Sequence, residues 1–232
     1  MRAPGDRVCV ARLAEIDKAY DDGGARLEVL CRFSLEVWEG ECVAVTGRSG
    51  SGKTTLLNIM GLLDADYSGE YALFDPRVGG LVDVRGLRDG ARSRLRNAGL
   101  GFVFQSFNLI EYLTCLENIC LAASFSPPPR PTREEGLALM ARLGIAEKAL
   151  AHPSQLSGGQ KQRAAIARAM FLRPRLILCD EPTGALDEET SRGILALFRE
   201  ICERDATSFV IVTHDPQVAS GCDRVIRMRE IG

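Results

Sequence analysis

The loop Gly47-Arg48-Ser49-Gly50-Ser51-Gly52-Lys53-Thr54 constrains this chain more than any other stretch. It follows the short apolar run Cys42-Val43-Ala44-Val45 and precedes Leu56-Leu57-Asn58-Ile59-Met60, so a buried strand, a glycine loop and a helix succeed one another. Glycines let the backbone turn its amides inward, where N–H groups and the helix start meet a polyphosphate. Lys53 reaches the β- and γ-phosphates, and the Thr54 hydroxyl is placed to ligate Mg²⁺. The pattern does not suit a dinucleotide, because Thr55 stands where a third glycine is needed.

Two later apolar runs, Leu176-Ile177-Leu178-Cys179 and Phe209-Val210-Ile211-Val212, have the length and composition of strands buried on both faces of a parallel sheet. Each ends in polar residues, and ligands in such sheets lie at the carboxyl ends of strands. After Cys179 come Asp180, placed to hold Mg²⁺ through water, and Glu181, placed to act as general base on the attacking water. His214 follows the other run and sits beside this acidic pair if the two strands are neighbours. A neutral imidazole there is expected to donate to a γ-phosphate oxygen.

The first forty residues alternate apolar and polar in places, as in Phe33-Ser34-Leu35-Glu36-Val37, which suits half-exposed antiparallel strands ending in a turn at Glu39-Gly40-Glu41. Residues 107–173 read as mostly helical. Pro127-Pro128-Pro129-Arg130-Pro131 interrupts them as a stiff connector, and Thr132 with Glu135 forms a capping box for a helix reaching about Leu143. The expected fold class is α/β, a P-loop nucleoside triphosphatase with a mixed sheet core, an N-terminal antiparallel β sub-domain and an inserted α-helical sub-domain. One domain over 1–232 is expected, with a nucleotide-binding core at about 1–106 and 174–232 and the helical part at about 107–173.

Composition narrows the classes further. A charged fraction of 26% with a net charge of -2 argues against a nucleic-acid surface. No run approaches the roughly 20 apolar residues of a membrane helix, and the start 1–6 has no apolar leader, so a cytoplasmic chain is expected. The eight cysteines form no C-x-x-C pair and read as small buried thiols.

Leu156-Ser157-Gly158-Gly159-Gln160 opens the helical run from Lys161 to Met170 and makes a second anion site by the same dipole and amide logic. With these motifs together, nearly the whole chain resembles the nucleotide-binding subunit of an ABC transporter. The resemblance implies that residues 156–160 of one copy close over ATP held by the loop 47–54 of another, so the partner is a second copy. It also places Tyr20 against adenine and Gln105, in Phe102-Val103-Phe104-Gln105, at the nucleotide-sensing glutamine that meets Mg²⁺. Asp187, in Ala185-Leu186-Asp187, falls in the D-loop, and His214 takes the role of switch histidine.

The stretches 41–45, 56–64 and 101–110 resemble one branch in particular, which contains the ATPases of lipoprotein-releasing systems, macrolide exporters and the cell-division complex. The close of the chain soon after His214, with no room for a regulatory domain, suits that branch. The resemblance implies ATP hydrolysis with Mg²⁺ at a head-to-tail homodimer, driving a separate membrane permease from the cytoplasmic face of the inner membrane. Phe107, Asn108, Leu109 and Ile110 would face that permease, with core burial as the alternative. Mechanical signalling of the cell-division type, or a soluble ATPase without a permease, are the other readings. A chromosome-organising ATPase is disfavoured, since the interval from Thr54 to Leu156 is too short for its coiled coil.

Overall fold

The computed structural model describes residues 8–22, 25–126 and 128–228. The chain start 1–6 and Pro127, both used above, lie outside the described residues, as do positions 229–232.

Strands β1 (Cys9–Asp22) and β2 (Ala25–Trp38) are long and antiparallel. The turn after β2 needs Gly40 at φ +70°, and its amide donates to Ser208 Oγ at 3.1 Å. It leads into β3 (Cys42–Thr46), the glycine loop and α1 (Lys53–Met60). Next come β4 (Ser68–Asp75), β5 (Gly80–Asp83), α2 (Asp89–Gly99) and β6 (Leu100–Phe104). The helical stretch follows, with α3 (Cys115–Cys120), α4 (Arg133–Arg142) and α5 (Gly158–Met170). Capping boxes at Thr114/Glu117, Thr132/Glu135 and Ser157/Gln160 open these three helices, so polar side chains satisfy amides that have no partner within the helix. The chain closes with β7 (Leu176–Asp180), α6 (Glu188–Asp205), β8 (Ser208–Val212), α7 (Pro216–Ser220) and β9 (Arg224–Arg227).

The expected mixture of strand directions resolves into two sheets. One is antiparallel, ordered β2-β1-β4-β5; the other is parallel throughout, ordered β6-β7-β8-β3-β9. The apolar runs read from sequence are its three central strands. Their alternation decides which layer each side chain enters. Val43, Val45, Leu176, Leu178, Val210 and Val212 point to the core shared with β1, β4 and α1. Cys42, Ile177, Cys179, Phe209 and Ile211 point to the core shared with α3, α5 and α6. Burying both faces stabilises these strands by roughly 1.5–3 kcal/mol per large aliphatic side chain. It also leaves their polar C-terminal residues gathered at one end.

Candidate active site

At that end, register brings together residues far apart in sequence. Asp180 lies level with Val212 in the β7–β8 ladder, and the Glu181 amide extends the ladder by donating to the Val212 carbonyl at 2.9 Å. The Thr213 amide donates to the Val45 carbonyl at 3.1 Å, which sets the end of β8 beside the entrance to the glycine loop.

The glycine loop encloses its own lysine. Lys53 Nζ donates to the carbonyls of Gly47 and Arg48, both at 2.8 Å, so the ammonium is held under the loop. Gly52, the N-cap of α1, sits at φ +87°, and a Cβ there would come within 2.7 Å of the Val29 carbonyl oxygen. Glycine is therefore required by both conformation and space. No side chain caps α1, so its first-turn amides are available to a ligand. Ser51 Oγ is buried without a partner. Ser49, Gly50 and Thr54 are exposed around the same loop.

Glu181 has a left-handed backbone at φ +46°, which costs about 1 kcal/mol for a residue with a side chain. Its carboxylate offsets that cost by accepting from Thr213 Oγ1 at 3.0 Å, the His214 amide at 3.0 Å and His214 Nδ1 at 2.6 Å. A carboxylate can only accept, so Nδ1 carries the hydrogen and Nε2 of the neutral ring is an acceptor. The neutral imidazole expected from sequence therefore cannot donate from Nε2 while it holds Glu181. Donation to a phosphate requires a protonated ring or release of Glu181. Beside this cluster, burial pushes the Asp180 carboxyl up, reinforced by the Glu181 charge and opposed by Lys53.

The remaining expected residues are unevenly engaged. Gln105 is exposed, and its side chain leans over the turn after Glu181, so close that a Cβ on Gly184 would lie 2.9 Å from its Nε2. Tyr20 is 42% exposed, with Lys18 Nζ 4.7 Å from its ring centroid and its hydroxyl 3.5 Å from Thr55 Oγ1. One ring face is thus taken by a cation. Ser157 Oγ accepts from the Gln160 amide at 3.3 Å, while Gln160 Oε1 accepts from the Ser157 amide at 3.0 Å. Added Cβ atoms would meet Leu186 at Gly158 and Thr190 at Gly159, so this segment packs against the start of α6; Leu156 beside it is buried. Asp187 caps α6 through the Thr190 amide and hydroxyl, which hold its carboxyl below the usual range.

Sequence reasoning missed two members of this neighbourhood. Thr213, between Val212 and His214, holds Glu181; its place after an apolar run was the available signal. Arg168 on α5 donates to the carbonyls of Phe107, at 2.9 Å, and Asn108. Those two residues both have positive φ, +61° and +50°, so the turn after Gln105 points its carbonyls at one guanidinium. Of the strip 107–110, Asn108 is exposed and the other three are half-buried, with Leu109 against the helical core. The side-chain amide of the buried Asn118 holds Ile110 at both ends, Oδ1 accepting from its N–H at 2.7 Å and Nδ2 donating to its carbonyl at 3.0 Å.

The family profile described as ABC transporter matches residues 30–184. The chain is 41% identical over 229 residues to the lipoprotein-releasing system ATP-binding protein LolD of Bordetella pertussis, spanning 98% of this chain and 96% of that one. It is 43% identical over 221 residues to the macrolide export ATP-binding/permease protein MacB of Syntrophobacter fumaroxidans, spanning 94% of this chain but only 30% of that longer protein. A solved dimeric structure of the ATP-binding cassette MJ0796, in a post-hydrolysis state with ADP and Pi, matches with a TM-score of 0.82 and 38% identity, covering 94% of each chain.

Proposed function

Because the chain belongs to the ABC transporter family and is an ATPase of that kind, we propose that two copies bind two ATP molecules head to tail and hydrolyse them to drive a membrane permease. The observation that carries this reading is the division of labour within one chain. The open amides of α1, Lys53 and Glu181 gather at the end of the parallel sheet, whereas Ser157 and Gly159 lie on α5 against their own α6. A second copy would bring residues 156–160 and Asp187 to the loop 47–54. Ser157 is suited to that contact, since its hydroxyl accepts from Gln160 and keeps its hydrogen for a γ-phosphate oxygen.

In this mechanism the amides of Gly50, Gly52 and Thr54 and the Lys53 ammonium stabilise negative charge on the phosphoryl oxygens, and the buried Ser51 hydroxyl gains the partner it lacks. Tyr20 offers the ring face away from Lys18 to adenine. A divalent cation fits the residues present: Asp180 is destabilised as an anion by burial and by Glu181, and the exposed Thr54 hydroxyl bonds to no side chain among the described residues. Thr54, Asp180 and Gln105 would hold Mg²⁺, which when bound neutralises phosphate charge. Glu181 then serves as general base. Its Oε1 accepts from both His214 groups while Oε2 accepts from Thr213 alone, which leaves Oε2 a lone pair for the hydrogen of a water, and His214 is the donor that can turn toward the γ-phosphate.

Glu181→Gln tests the assignment. We expect a turnover loss of about 100-fold or more together with a stable ATP-bound dimer on size-exclusion chromatography. A variant with near-normal turnover removes Glu181 from the role of base.

The domain layout proposed with this function is a nucleotide-binding core at about 1–106 and 174–232 and a helical part at about 107–173. For the transported substrate we propose lipoprotein release or a macrolide-exporter type of export. The reading is supported by LolD, matched over nearly its full length, and by the ATP-binding portion of MacB. Among the described residues no helix is long and apolar enough to cross a membrane; the proposed place, supported by the likeness to LolD, is peripheral, on the cytoplasmic face beside the permease. Mass spectrometry of the co-purifying membrane protein should find few membrane helices and a large extracytoplasmic domain. A many-helix importer-type partner refutes this branch.

A further inference from the structure

The strand alternation that sends Cys42 toward the α6 side of the parallel sheet sets it against a second thiol. Cys42 Sγ lies 3.2 Å from Cys222 Sγ, across a separation of 180 residues. The two backbones are clamped side by side: the Asp223 amide donates to the Cys42 carbonyl at 2.9 Å, and the Cys42 amide donates to Asp223 Oδ2 at 2.8 Å. An open cleft of about 820 Å³ lies beside the pair, lined in part by Cys42 itself and by Gly221 and Asp223, the residues on either side of Cys222. At its rim the Arg199 guanidinium donates to the Gly221 carbonyl at 3.1 and 3.2 Å. None of the His, Cys, Asp and Glu groups among the described residues is arranged as a metal site of three or more ligands, so the pair stands as a dithiol.

We propose that Cys42 and Cys222 form a redox site that closes to an intramolecular disulfide by exchange with a small-molecule disulfide entering through the cleft. The Cys222 thiolate attacks one sulfur of the incoming disulfide, breaks its S–S bond and releases one thiolate. Cys42, giving its proton to solvent, then attacks the Cys222 sulfur of the mixed disulfide and expels the second thiolate. Two protein thiols lose two electrons and two protons, and the small disulfide leaves as two thiols. Cys222 is the attacking sulfur because the Cys42 thiol donates to it and holds it below the usual thiol value, assisted by Arg199 against burial and Asp223. Bond formation needs the sulfurs to approach by about 1.1 Å, within reach of side-chain rotation since the backbones are already adjacent. The product would staple the first residue of β3, the strand that delivers the glycine loop, to the joint between α7 and β9.

The full chain equilibrated in mixtures of reduced and oxidised glutathione, then alkylated and peptide-mapped, tests this. We expect a cross-linked peptide joining Cys42 and Cys222 with loss of two hydrogens and a rise in Tm, both reversed by dithiothreitol. The exposed Cys31 should acquire glutathione only. Cys222→Ser should abolish the cross-link and the Tm rise while leaving ATP turnover of the reduced protein unchanged, with Cys222→Ala as the substitute if serine impairs folding. The proposal is overturned if both thiols stay fully alkylatable in oxidised glutathione, if each carries a separate glutathione, or if Cys42 cross-links to Cys202.

Discussion

At the start of α1 no side chain answers the first-turn amides, and a left-handed glycine occupies the cap; at the start of α5, Ser157 and Gln160 answer each other. Both helices begin in glycine-rich segments, and both were read from sequence as anion sites. The difference is in who satisfies the donors. The α1 loop leaves that to a ligand and spends its own internal contacts on Lys53. The α5 segment answers the Ser157 and Gln160 amides itself and leaves the Gly158 and Gly159 amides and a spare hydroxyl hydrogen. On the proposed function, the first would take phosphate deeply, and the second would make a contact that is formed and broken without unravelling the helix.

Four substitutions test the contrast. The largest effect is expected at Gly52→Ala, where a Cβ meets the Val29 carbonyl at 2.7 Å under a φ of +87°. About 3 kcal/mol should be lost in urea unfolding, with nucleotide binding abolished. Gly50→Ala, at φ +80° but in open space, should cost only about 1 kcal/mol; equal losses at the two positions would show that crowding against β2 is not what selects glycine. Next is Ser157→Ala, expected to lose about 1 kcal/mol through the cap. Ser157→Asp should keep the cap and most of that stability, yet share the alanine variant's fall in ATP turnover of at least roughly 10-fold, because it has no hydrogen to donate. If Ser157→Asp turns over normally, the serine is a cap and nothing more.

The smallest effect, of opposite sign, is expected at Asp180→Asn. Folding raises this carboxyl above its ordinary value, so at neutral pH the charged form is disfavoured in the folded state and the asparagine protein should melt slightly higher. The gap should close as pH falls through the raised folded value and vanish below the ordinary carboxylate range, where the wild-type group is protonated in both states. Mg²⁺-dependent ATP binding should fall in the same variant. A lower melting temperature at neutral pH would mean that Asp180 is already stabilised as an anion.

Much of this was readable because it is local. The runs ending at Val45, Cys179 and Val212 are strands whatever surrounds them, and Thr132 with Glu135 marks the start of α4 by spacing alone. Contacts that arise from pairing across the sheet were legible only in part: His214 was expected beside Asp180 and Glu181 if their strands pair, and they do. The Nδ1 contact between His214 and Glu181 required the register of β7 on β8, which no periodicity reports. Arg168 reads as one more polar residue on an amphipathic helix until the turn after Gln105 is folded against it. The Cys42–Cys222 contact joins residues near opposite ends of the chain, so a search for closely spaced cysteines passes over it.

The clasp of Arg168 on Phe107 and Asn108 makes α5 a lever. Ser157 and the clasp lie eleven residues apart along a continuous helix, about 16 Å at an α-helical rise. A tilt of about 4° imposed at the serine end would move the far end by about 1 Å, enough to stretch those hydrogen bonds beyond their working length. Docking of another molecule at Ser157 would thus be felt at Gln105 within the same rigid rod, with no relay of side-chain rearrangements in between.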